Sequence, residues 1–525
     1  MLIANDRSKT RIMLVSLRNN RDIIQEELGI GYICSYLRKN GFGVKLESIY
    51  TEEFDYKVVF DYKPEIIGFS VYDDSLRNSY IIANTIKKQM PEVKVVFGGY
   101  APTYHAKEIM ESCDSVDVVI MGEGEKAFLN VAHAFAKKRT LEECKGILYR
   151  KGTVIVENEG SDCIRDLDEL PFPARDILLK EKLSTAYVST SRGCTGKCRF
   201  CCSPRFFDIG WRGRSVESVI EEIKELYVVY AVKRIHFIDS SFEDPDIHLS
   251  RLNAMLDQLI ELNYDITYSA DFRVDFYKKA TNSVLNKLKK LDFIYVFLGV
   301  EAGNDIDLKV YGKNATINDI EECMALFKRN GINVDIGFIN FNPYSTVLSL
   351  RQNMKFLHKY GLDSYLLNIR QLRIYIGTEL YEQVVNDGLY IDDYNYHFVD
   401  NDIEKMYMFI SRLFEREKEH KFMLLCQHYS VNYRHNILRI KRLGFERIAE
   451  EISESLKNLL EEISDKNFTW FNNLIDLAEI GWDDEKAMLI TKEQLEVDYL
   501  MKCMQRFFVI KERIKKRNPE IANLL

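Results

Sequence analysis

Short apolar runs alternate with amphipathic stretches over the first 140 residues of the chain. The apolar runs predict five strands, which in chain order are Arg11–Leu17, Val44–Ile49, Glu65–Tyr72, Val93–Phe97 and Val116–Met121. The amphipathic stretches predict helices at Gly29–Asn40, Ser79–Gln89 and Lys126–Lys138. Strands that alternate with helices at this spacing form a parallel sheet with helices on both faces. The pattern therefore predicts a doubly wound, Rossmann-like α/β domain over residues 1–140.

Two of the predicted strands lead into turns that are rich in glycine. Phe97 is followed by Gly98 and Gly99, and Met121 is followed by Gly122 and Gly124, with one residue between the last two. Glycine lets the backbone approach a flat or anionic ligand closely, although it also simply makes turns. Ligands of doubly wound sheets bind at the carboxyl ends of the strands. The two turns together therefore favour a binding crevice at that edge of the sheet.

The hydrophobic pattern changes after residue 140. Residues 141–185 lack a regular hydrophobic period and contain Pro171 and Pro173, which predicts an ordered linker. Six further strands are then predicted, at Ala186–Ser189, Arg234–Ile238, Ile266–Ser269, Tyr295–Val300, Val334–Ile339 and Tyr365–Leu372. With their helices they predict a TIM barrel or a partial (β/α)6 TIM barrel over residues 186–380, whose chemistry would lie at the strand carboxyl ends. Residues 381–525 predict a mainly helical region, because apolar residues recur every three or four positions from Phe445 to Ile463. We expect this C-terminal region to cover the substrate.

Composition narrows the class of protein. The chain has 525 residues, of which 46% are hydrophobic and 29% charged, so it predicts a globular protein of about three units. Its net charge of −8 provides no overall positive field, and nucleic acid is not an expected partner. The sequence shows no signal peptide and no apolar run of the roughly 18 residues that a membrane span needs, so no membrane association is expected. Eleven cysteines then indicate a reducing, cytoplasmic environment.

Four of the cysteines lie within nine residues, at Cys194, Cys198, Cys201 and Cys202. The first three follow the spacing Cys-x3-Cys-x2-Cys directly after the first predicted barrel strand. Three thiolates on one short loop can each bind one iron of a [4Fe–4S] cluster and leave the fourth iron without a protein ligand. Structural zinc needs four ligands, and no second pair of suitable spacing follows. We therefore predict Cys194, Cys198 and Cys201 as metal ligands and Cys202 as a bystander, the alternative being a chance group of buried cysteines.

This cysteine pattern, with the aromatic Phe200 before its last member, resembles the signature of the radical S-adenosylmethionine (SAM) superfamily. The resemblance implies a [4Fe–4S] cluster whose open iron is chelated by SAM. One-electron reduction, by a donor such as flavodoxin or ferredoxin, would cleave SAM to methionine and a 5′-deoxyadenosyl radical. The resemblance further implies that Phe200 stacks on the adenine and that Asp239, Arg273 and Glu301 hold SAM at the strand ends. Plain packing is the alternative for Phe200, and a surface or salt-bridged position is the alternative for the other three.

Residues 1–140 are similar to the cobalamin-binding domain that precedes the radical SAM domain in one large subclass, and Leu167–Arg175 resembles the junction of that subclass. The positions that would face the corrin are Ser70, Gly98, Gly99, Pro102, Thr103, Gly122 and Glu123. The Asp-x-His-x-x-Gly motif of other cobalamin domains is missing, because the first histidine of the chain is His105 and the first loop reads Arg18-Asn-Asn-Arg-Asp22. Cobalamin (vitamin B12) is therefore expected to bind without an imidazole below its cobalt.

Together these resemblances imply a cobalamin-dependent radical SAM enzyme. We expect a methyltransferase that C-methylates an unactivated carbon of a natural-product or peptide substrate, through a 5′-deoxyadenosyl radical and methylcobalamin. This scheme requires no general base, so no catalytic side chain is predicted. One alternative is a cyclase or rearrangement enzyme with the same cofactors, and another is a non-catalytic cobalamin-binding sensor. A tRNA methylthiolating enzyme is disfavoured, because the chain has neither a second three-cysteine set in its first domain nor a basic C-terminal module.

Overall fold

The computed structural model describes residues 10–18, 26–207, 209–243, 245–363, 365–392, 395–414, 440–441 and 444–494, together with residue 437 and short pieces between 505 and 519. The chain divides into two compact units. The first unit contains the chain up to residue 196 together with residues 201–272 and 279–293. The second unit contains residues 197–200, residues 273–278 and the chain from residue 294 onward. His428, His435, Cys426 and Cys503, to which the sequence assigns no role, lie outside the described residues.

The first unit begins with a seven-stranded sheet in the order β2-β1-β3-β4-β5-β6-β7. Its strands are β1 (Arg11–Arg18), β2 (Gly43–Tyr50), β3 (Ile66–Ser70), β4 (Lys94–Gly98), β5 (Val118–Ile120), β6 (Ile147–Lys151) and β7 (Val154–Asn158). The first five strands are parallel, which confirms the predicted doubly wound arrangement. β6 and β7 pair antiparallel at the edge of the sheet and come from the segment that was predicted as a linker. A two-residue turn, Gly152-Thr153, joins them, and glycine in such a turn is a hairpin signal.

Helices cover both faces of this sheet. They are α1 (Leu28–Lys39), α2 (Tyr56–Tyr62), α3 (Asp73–Gln89), α4 (Tyr100–Ser112), α5 (Gly124–Phe135) and α6 (Asp176–Lys180). β1 shows why the two cores form. Met13 and Val15 pack into one core, whereas Ile12 and Leu14 pack into the other, because successive side chains of a strand point to opposite faces. A strand that is buried on both faces reads as a continuous apolar run, which explains why β1, β3, β4 and β5 were predictable.

The first unit continues with three parallel strands and a short antiparallel pair. The parallel strands are β8 (Thr185–Val188), β11 (Arg234–Phe237) and β12 (Thr267–Phe272), and the pair is β9 (Ser191–Arg192) with β10 (Arg212–Gly213). Its helices are α7 (Ser203–Phe206), α8 (Val216–Val228), α9 (Ser250–Leu262) and α10 (Asn282–Lys290). Side-chain oxygens define two of the helix starts. Ser215 accepts a hydrogen bond from Ser218 N at the start of α8, and Thr281 accepts one from Val284 N at the start of α10.

The second unit contains two parallel strands and a set of helices. The strands are β13 (Phe293–Glu301), which has only its first residue in the first unit, and β14 (Asn333–Phe338), with a bulge between Gly299 and Glu301. The helices are α11 (Asp305–Val310), α12 (Ile317–Arg329), α13 (Val347–Lys359), α14 (Tyr365–Ile369), α15 (Glu379–Asn386), α16 (Asn401–Phe414), α17 (Glu446–Ile480) and α18 (Asp484–Gln494). Ile452, Leu459 and Ile463 are buried on α17, as the predicted apolar stripe requires. Across the described residues, no helix is both long and apolar enough to cross a membrane.

The sixth predicted strand, Tyr365–Leu372, is wrong over most of its length. Residues 365–369 form the helix α14, and only Gln371 makes a parallel bridge, to Phe341. Backbone pairing is limited to the end of the segment, where the Asn340 and Phe341 N–H groups both donate to Arg370 O. A short apolar run does not by itself distinguish a strand from a buried helical turn.

Candidate functional site

A cavity of about 370 Å³ lies in the first unit at the carboxyl ends of the parallel strands. Ser70 and Gly98, which end β3 and β4, and Gly122, which follows β5, line it together with the start of α1. β1 lies between β2 and β3, so chain connections leave it in opposite directions, and such a switch point opens a crevice at the sheet edge. The size is within the range of roughly 300–1000 Å³ that ligand sites occupy.

Most of the residues predicted to face a corrin line this cavity. They are Ser70, Gly98, Gly99, Gly122 and Glu123. Pro102 is buried in the first turn of α4 and does not line it. Thr103 does not line the cavity but contacts two residues that do. Its Oγ1 donates to Gly99 O at 2.7 Å and accepts from Gly122 N at 3.0 Å. Thr103 therefore joins the two glycine turns that the sequence singled out.

Gly99 has a conformation that favours glycine. Its φ angle is 110°, and an added Cβ would lie 3.0 Å from Val71 O and 3.2 Å from Val71 N. Because an added Cβ would clash with backbone atoms, a side chain at position 99 would be strained even though it borders a cavity. The backbone of Gly99 is therefore presented to the cavity without a covering side chain.

Aromatic rings form one wall of the cavity, and the sequence reasoning missed them. Tyr100 stacks on Phe206 with ring centroids 4.6 Å apart and on Tyr72 at 6.2 Å. All three residues line the cavity, as does Phe207. Tyr72 and Tyr100 each follow a strand end within two residues, which is the one local signal that marks them. Such a wall suits a large ligand with an extended apolar surface.

Buried ion pairs also lie among the residues that line the cavity. Glu123 accepts hydrogen bonds from Arg212, and Arg192 lies 3.3 Å from the same carboxylate. Arg192 also donates to Glu125 Oε1 at 2.5 Å. Burial opposes the charged form of Arg192, but the adjacent Glu125 and Glu123 carboxylates prevail and raise its pKa. Glu123, although predicted to face the corrin, therefore has a carboxylate that is already engaged by two arginines.

The cysteine loop starts directly after Gly193, which itself lines the cavity. Gly193 has a φ angle of 83°, and a Cβ there would lie 2.4 Å from Gly210 O, so the turn into the loop requires glycine. Cys194, Cys198 and Cys201 are all half-buried, and Cys194 Sγ accepts from Gly196 N at 3.2 Å. The donor set, three thiols at this spacing, suits a [4Fe–4S] cluster. In the described part of the chain, no three His, Cys, Asp or Glu side chains are gathered closely enough to hold a metal ion, and the three ligands stay predictions.

The middle of the loop, residues 197–200, is held within the second unit by Arg199. Its backbone N–H donates to Tyr311 O at 2.9 Å, and its Nη2 donates to Gln383 Oε1 of α15 at 2.7 Å. The neighbouring Phe200 makes an edge contact with Tyr311 at 5.6 Å. The predicted adenine-stacking ring therefore already has an aromatic packing partner.

The three charged residues predicted to hold SAM differ in their contacts. Asp239, in the first unit, is buried and accepts from Thr190 N and Oγ1 and from Ser191 Oγ. Burial raises its pKa, and these hydrogen bonds, led by that of Ser191, oppose the rise. Its carboxylate thus holds the chain just before the cysteine loop through these hydrogen bonds, and its predicted contact with SAM stays a prediction. Arg273, in the second unit, pairs with Asp275 at 3.0 Å.

Glu301, also in the second unit, is the unusual member of this group. Its φ angle is 72°, which is rare for a residue with a side chain and marks a strained strand end. Its carboxylate lies 3.4 Å from Lys313 Nζ. The two carboxylate oxygens lie close to where a side chain would begin at Gly299 and at Gly337. Backbone strain held at the carboxyl end of a strand is typical of a functional position.

Comparisons with known proteins agree with this arrangement. Residues 17–132 match the B12 binding domain family, and residues 188–357 match the Radical SAM superfamily. The chain therefore carries a B12-binding domain followed by a radical SAM domain, as its motifs predicted. This confirms the predicted cofactors, which are cobalamin for the first domain and a [4Fe–4S] cluster with SAM for the second.

Individual relatives extend the comparison. The chain is 28% identical to an uncharacterized methyltransferase of Pyrococcus horikoshii over 69% of this chain and 79% of that protein. It is 23% identical to the anaerobic magnesium-protoporphyrin IX monomethyl ester cyclase of Rubrivivax gelatinosus over 70% of this chain and 68% of the relative. Its fold is similar to that of the cobalamin-dependent SAM radical enzyme OxsB, solved with aqua-cobalamin and SAM bound. That match has a TM-score of 0.71 and 20% identity, and covers 98% of this chain and 81% of the other.

Proposed function

We propose that this radical SAM enzyme is a C-methyltransferase that acts on an unactivated carbon of a natural-product or peptide substrate. One juxtaposition carries the proposal. Within the first unit, Ser70, Gly98 and Gly99 of the B12-binding domain line the same cavity as Arg192 and Gly193, which immediately precede Cys194. A substrate beside this cavity would meet both cofactors. The greater identity to the methyltransferase relative than to the cyclase relative favours methyl transfer.

In this proposal the chain's own residues bind, orient and exclude water. Cys194, Cys198 and Cys201 would hold the cluster, and the bare backbone of Gly99 would permit close approach of the corrin. The bound cofactors supply methyl transfer and radical generation. The aromatic wall of Tyr100 and Phe206 would exclude water, which protects a reactive intermediate from side reactions.

A second candidate keeps the same cofactors but forms a ring or rearranges the substrate without methyl transfer. Its support is the similarity to the cyclase of Rubrivivax gelatinosus, which spans about the same share of the chain as the methyltransferase match.

The test is an anaerobic reaction with SAM that carries a deuterium-labelled methyl group, a low-potential reductant and candidate substrates, followed by mass spectrometry. We expect 5′-deoxyadenosine and a product that carries the labelled methyl group. Deoxyadenosine with an unlabelled, altered product would instead identify the second candidate. Absence of SAM cleavage in protein that binds cobalamin would instead support a cobalamin-binding sensor.

Two cysteine variants provide a matched pair for this reaction. Cys198→Ala is expected to lose the cluster and SAM cleavage together. Cys202→Ala is expected to keep both, because Cys202 is a predicted bystander whose backbone carbonyl, rather than its thiol, accepts from Tyr104 at 2.7 Å. Equal cluster loss in the two variants would contradict the assigned ligand set.

A further inference from the structure

Glu27 is a carboxylic acid at the cavity that neither the sequence motifs nor the proposed function uses. It immediately precedes α1 and lines the cavity at the switch point between β1 and β3. The hydroxyls of Ser16, near the end of β1, and of Ser70, at the end of β3, lie close to it. Glu26 beside it is already paired, because Arg175 donates to its carboxylate.

The carboxylate of Glu27 is incompletely satisfied. Its Oε2 atom is buried and has no hydrogen-bond partner among the described residues. A buried polar atom without a partner is costly, and a carboxylate can relieve that cost by taking up a proton. Burial accordingly raises the pKa of Glu27 to about 7, against the smaller opposing effects of the two serine hydroxyls.

The charged and titratable groups that face Glu27 come from each element packed around it. Arg18 lies at the end of β1 and Asp74 at the start of α3, and their charges act on Glu27 in opposite directions. Tyr72 lies between β3 and α3, and its pKa is raised, first by burial and then by Glu27 itself, so the phenol stays neutral. Glu27 therefore changes its charge near neutral pH, whereas the Tyr72 phenol does not.

We propose that Glu27 is a proton-binding residue of the cobalamin cavity, which takes up one proton when bound cob(II)alamin receives one electron and becomes cob(I)alamin. The electron comes from a low-potential donor of the flavodoxin or ferredoxin class, and the proton comes from solvent. Reoxidation of the cobalt returns the proton. The physical reason is that an added negative charge in a poorly solvated cavity increases the proton affinity of a nearby carboxylate. The proposal rests on the assignment of this cavity to cobalamin.

The experiment is an anaerobic spectroelectrochemical titration of the full-length, cobalamin-loaded protein across pH 6 to 9. For the wild-type protein, the cob(II)/cob(I) midpoint potential is expected to fall by about 59 mV per pH unit above pH 7, the constant for one proton per electron. Glu27→Gln is expected to abolish the slope, and Glu27→Asp to restore it. Glu92→Gln, at an exposed position of the same unit, is the matched control and should keep the wild-type slope.

A second readout follows the carboxyl group itself. Reduced-minus-oxidised infrared difference spectra should show a protonated-carboxyl band in the wild-type protein that Glu27→Gln lacks. A wild-type potential that does not vary with pH, or an unchanged slope in Glu27→Gln, would overturn the proposal while leaving cobalamin binding intact. Failure of the wild-type protein to retain cobalamin during gel filtration would instead refute the cavity assignment, and the proposal with it.

Discussion

Arg175 provides a sharp test of how the first unit is held together. Its guanidinium donates to Glu26 and, at 2.5 Å, to Glu222, and the three side chains are only 2%, 2% and 1% exposed. Arg175→Met removes the cation from both carboxylates at once. Glu222 keeps Arg214 as a partner, whereas Glu26 loses its only ion-pair partner in the described chain.

The expected magnitude follows from this difference. Removing one member of a buried ion pair costs about 3–5 kcal/mol, since an uncompensated charge remains in a poorly solvated site. The matched control is Lys180→Met. Lys180 is 58% exposed and pairs with Glu47, which keeps Lys45 at 3.0 Å, so a loss below about 1 kcal/mol is expected. Arg175→Met combined with Glu26→Met should recover most of the lost stability, because the orphaned charge is then gone.

Hydrogen exchange followed by mass spectrometry is the suitable assay, because it reports the first unit separately in a chain with two units. At about 1.4 kcal/mol per factor of ten, peptides of α1 and α8 should exchange roughly two to four orders of magnitude faster in Arg175→Met. The difference in exchange rate between Arg175→Met and the wild-type protein should shrink as the pH is lowered below neutrality. Burial already raises the pKa of Glu26, and protonation of this carboxylate removes its unpaired charge. Exchange no faster than in Lys180→Met would refute the view that this ion network is essential to the unit.

Two further outcomes are expected. In Gly68→Ala, the new Cβ would lie 2.5 Å from the Phe128 ring, and thermal unfolding should show that the free energy of unfolding falls by about 1–3 kcal/mol because the core is overpacked. Gly29→Ala is the control, because nothing lies within 4 Å of its Cβ, and it should show no loss of stability. Equal losses in the two variants would contradict this account. Because the pKa of Glu27 is raised from 4.5 to about 7 in the folded protein, cobalamin-free protein should lose roughly 3 kcal/mol as the pH rises from about 4.5 to 7. Urea unfolding of Glu27→Gln should lack this fall, and a fall of the same size in the variant would assign it to another group.

Several elements of the fold were predictable because their signal is local. Strands β1, β3, β4 and β5 are buried on both faces and so appear as short apolar runs, and the cysteine spacing can be read directly along one loop. The sixth barrel strand failed because Tyr365–Ile369 is apolar enough for either a strand or a buried helix. The β6–β7 hairpin was overlooked although Gly152 marks its turn, since the neighbouring segment has no regular period.

Some residues of the candidate site were likewise predictable from local sequence, and others were not. Strand-end glycines such as Gly99 were recognisable, because their conformational freedom is a property of the residue itself. Asp239, by contrast, was assigned to SAM from its place at a strand end, while its carboxylate in the fold braces Thr190 and Ser191. The aromatic wall and Glu27 were not found at all, because a tyrosine or a glutamate carries no local sign of the cavity it will line.

The sequence by itself determined the alternation of strands β1 to β5 with helices, the succession of a B12-binding domain and a radical SAM domain, and the set of three thiols. These depend on periodicity and spacing over a few residues. Only the tertiary structure decided which charges neutralise one another and which polar atoms are buried without a partner. Arg175 and Glu26 are 149 positions apart in the chain, and Glu27 is left with a buried oxygen to which no described residue donates a hydrogen bond. Such contacts depend on the whole fold, since desolvation is a property of a place in the structure and not of a residue in a sequence.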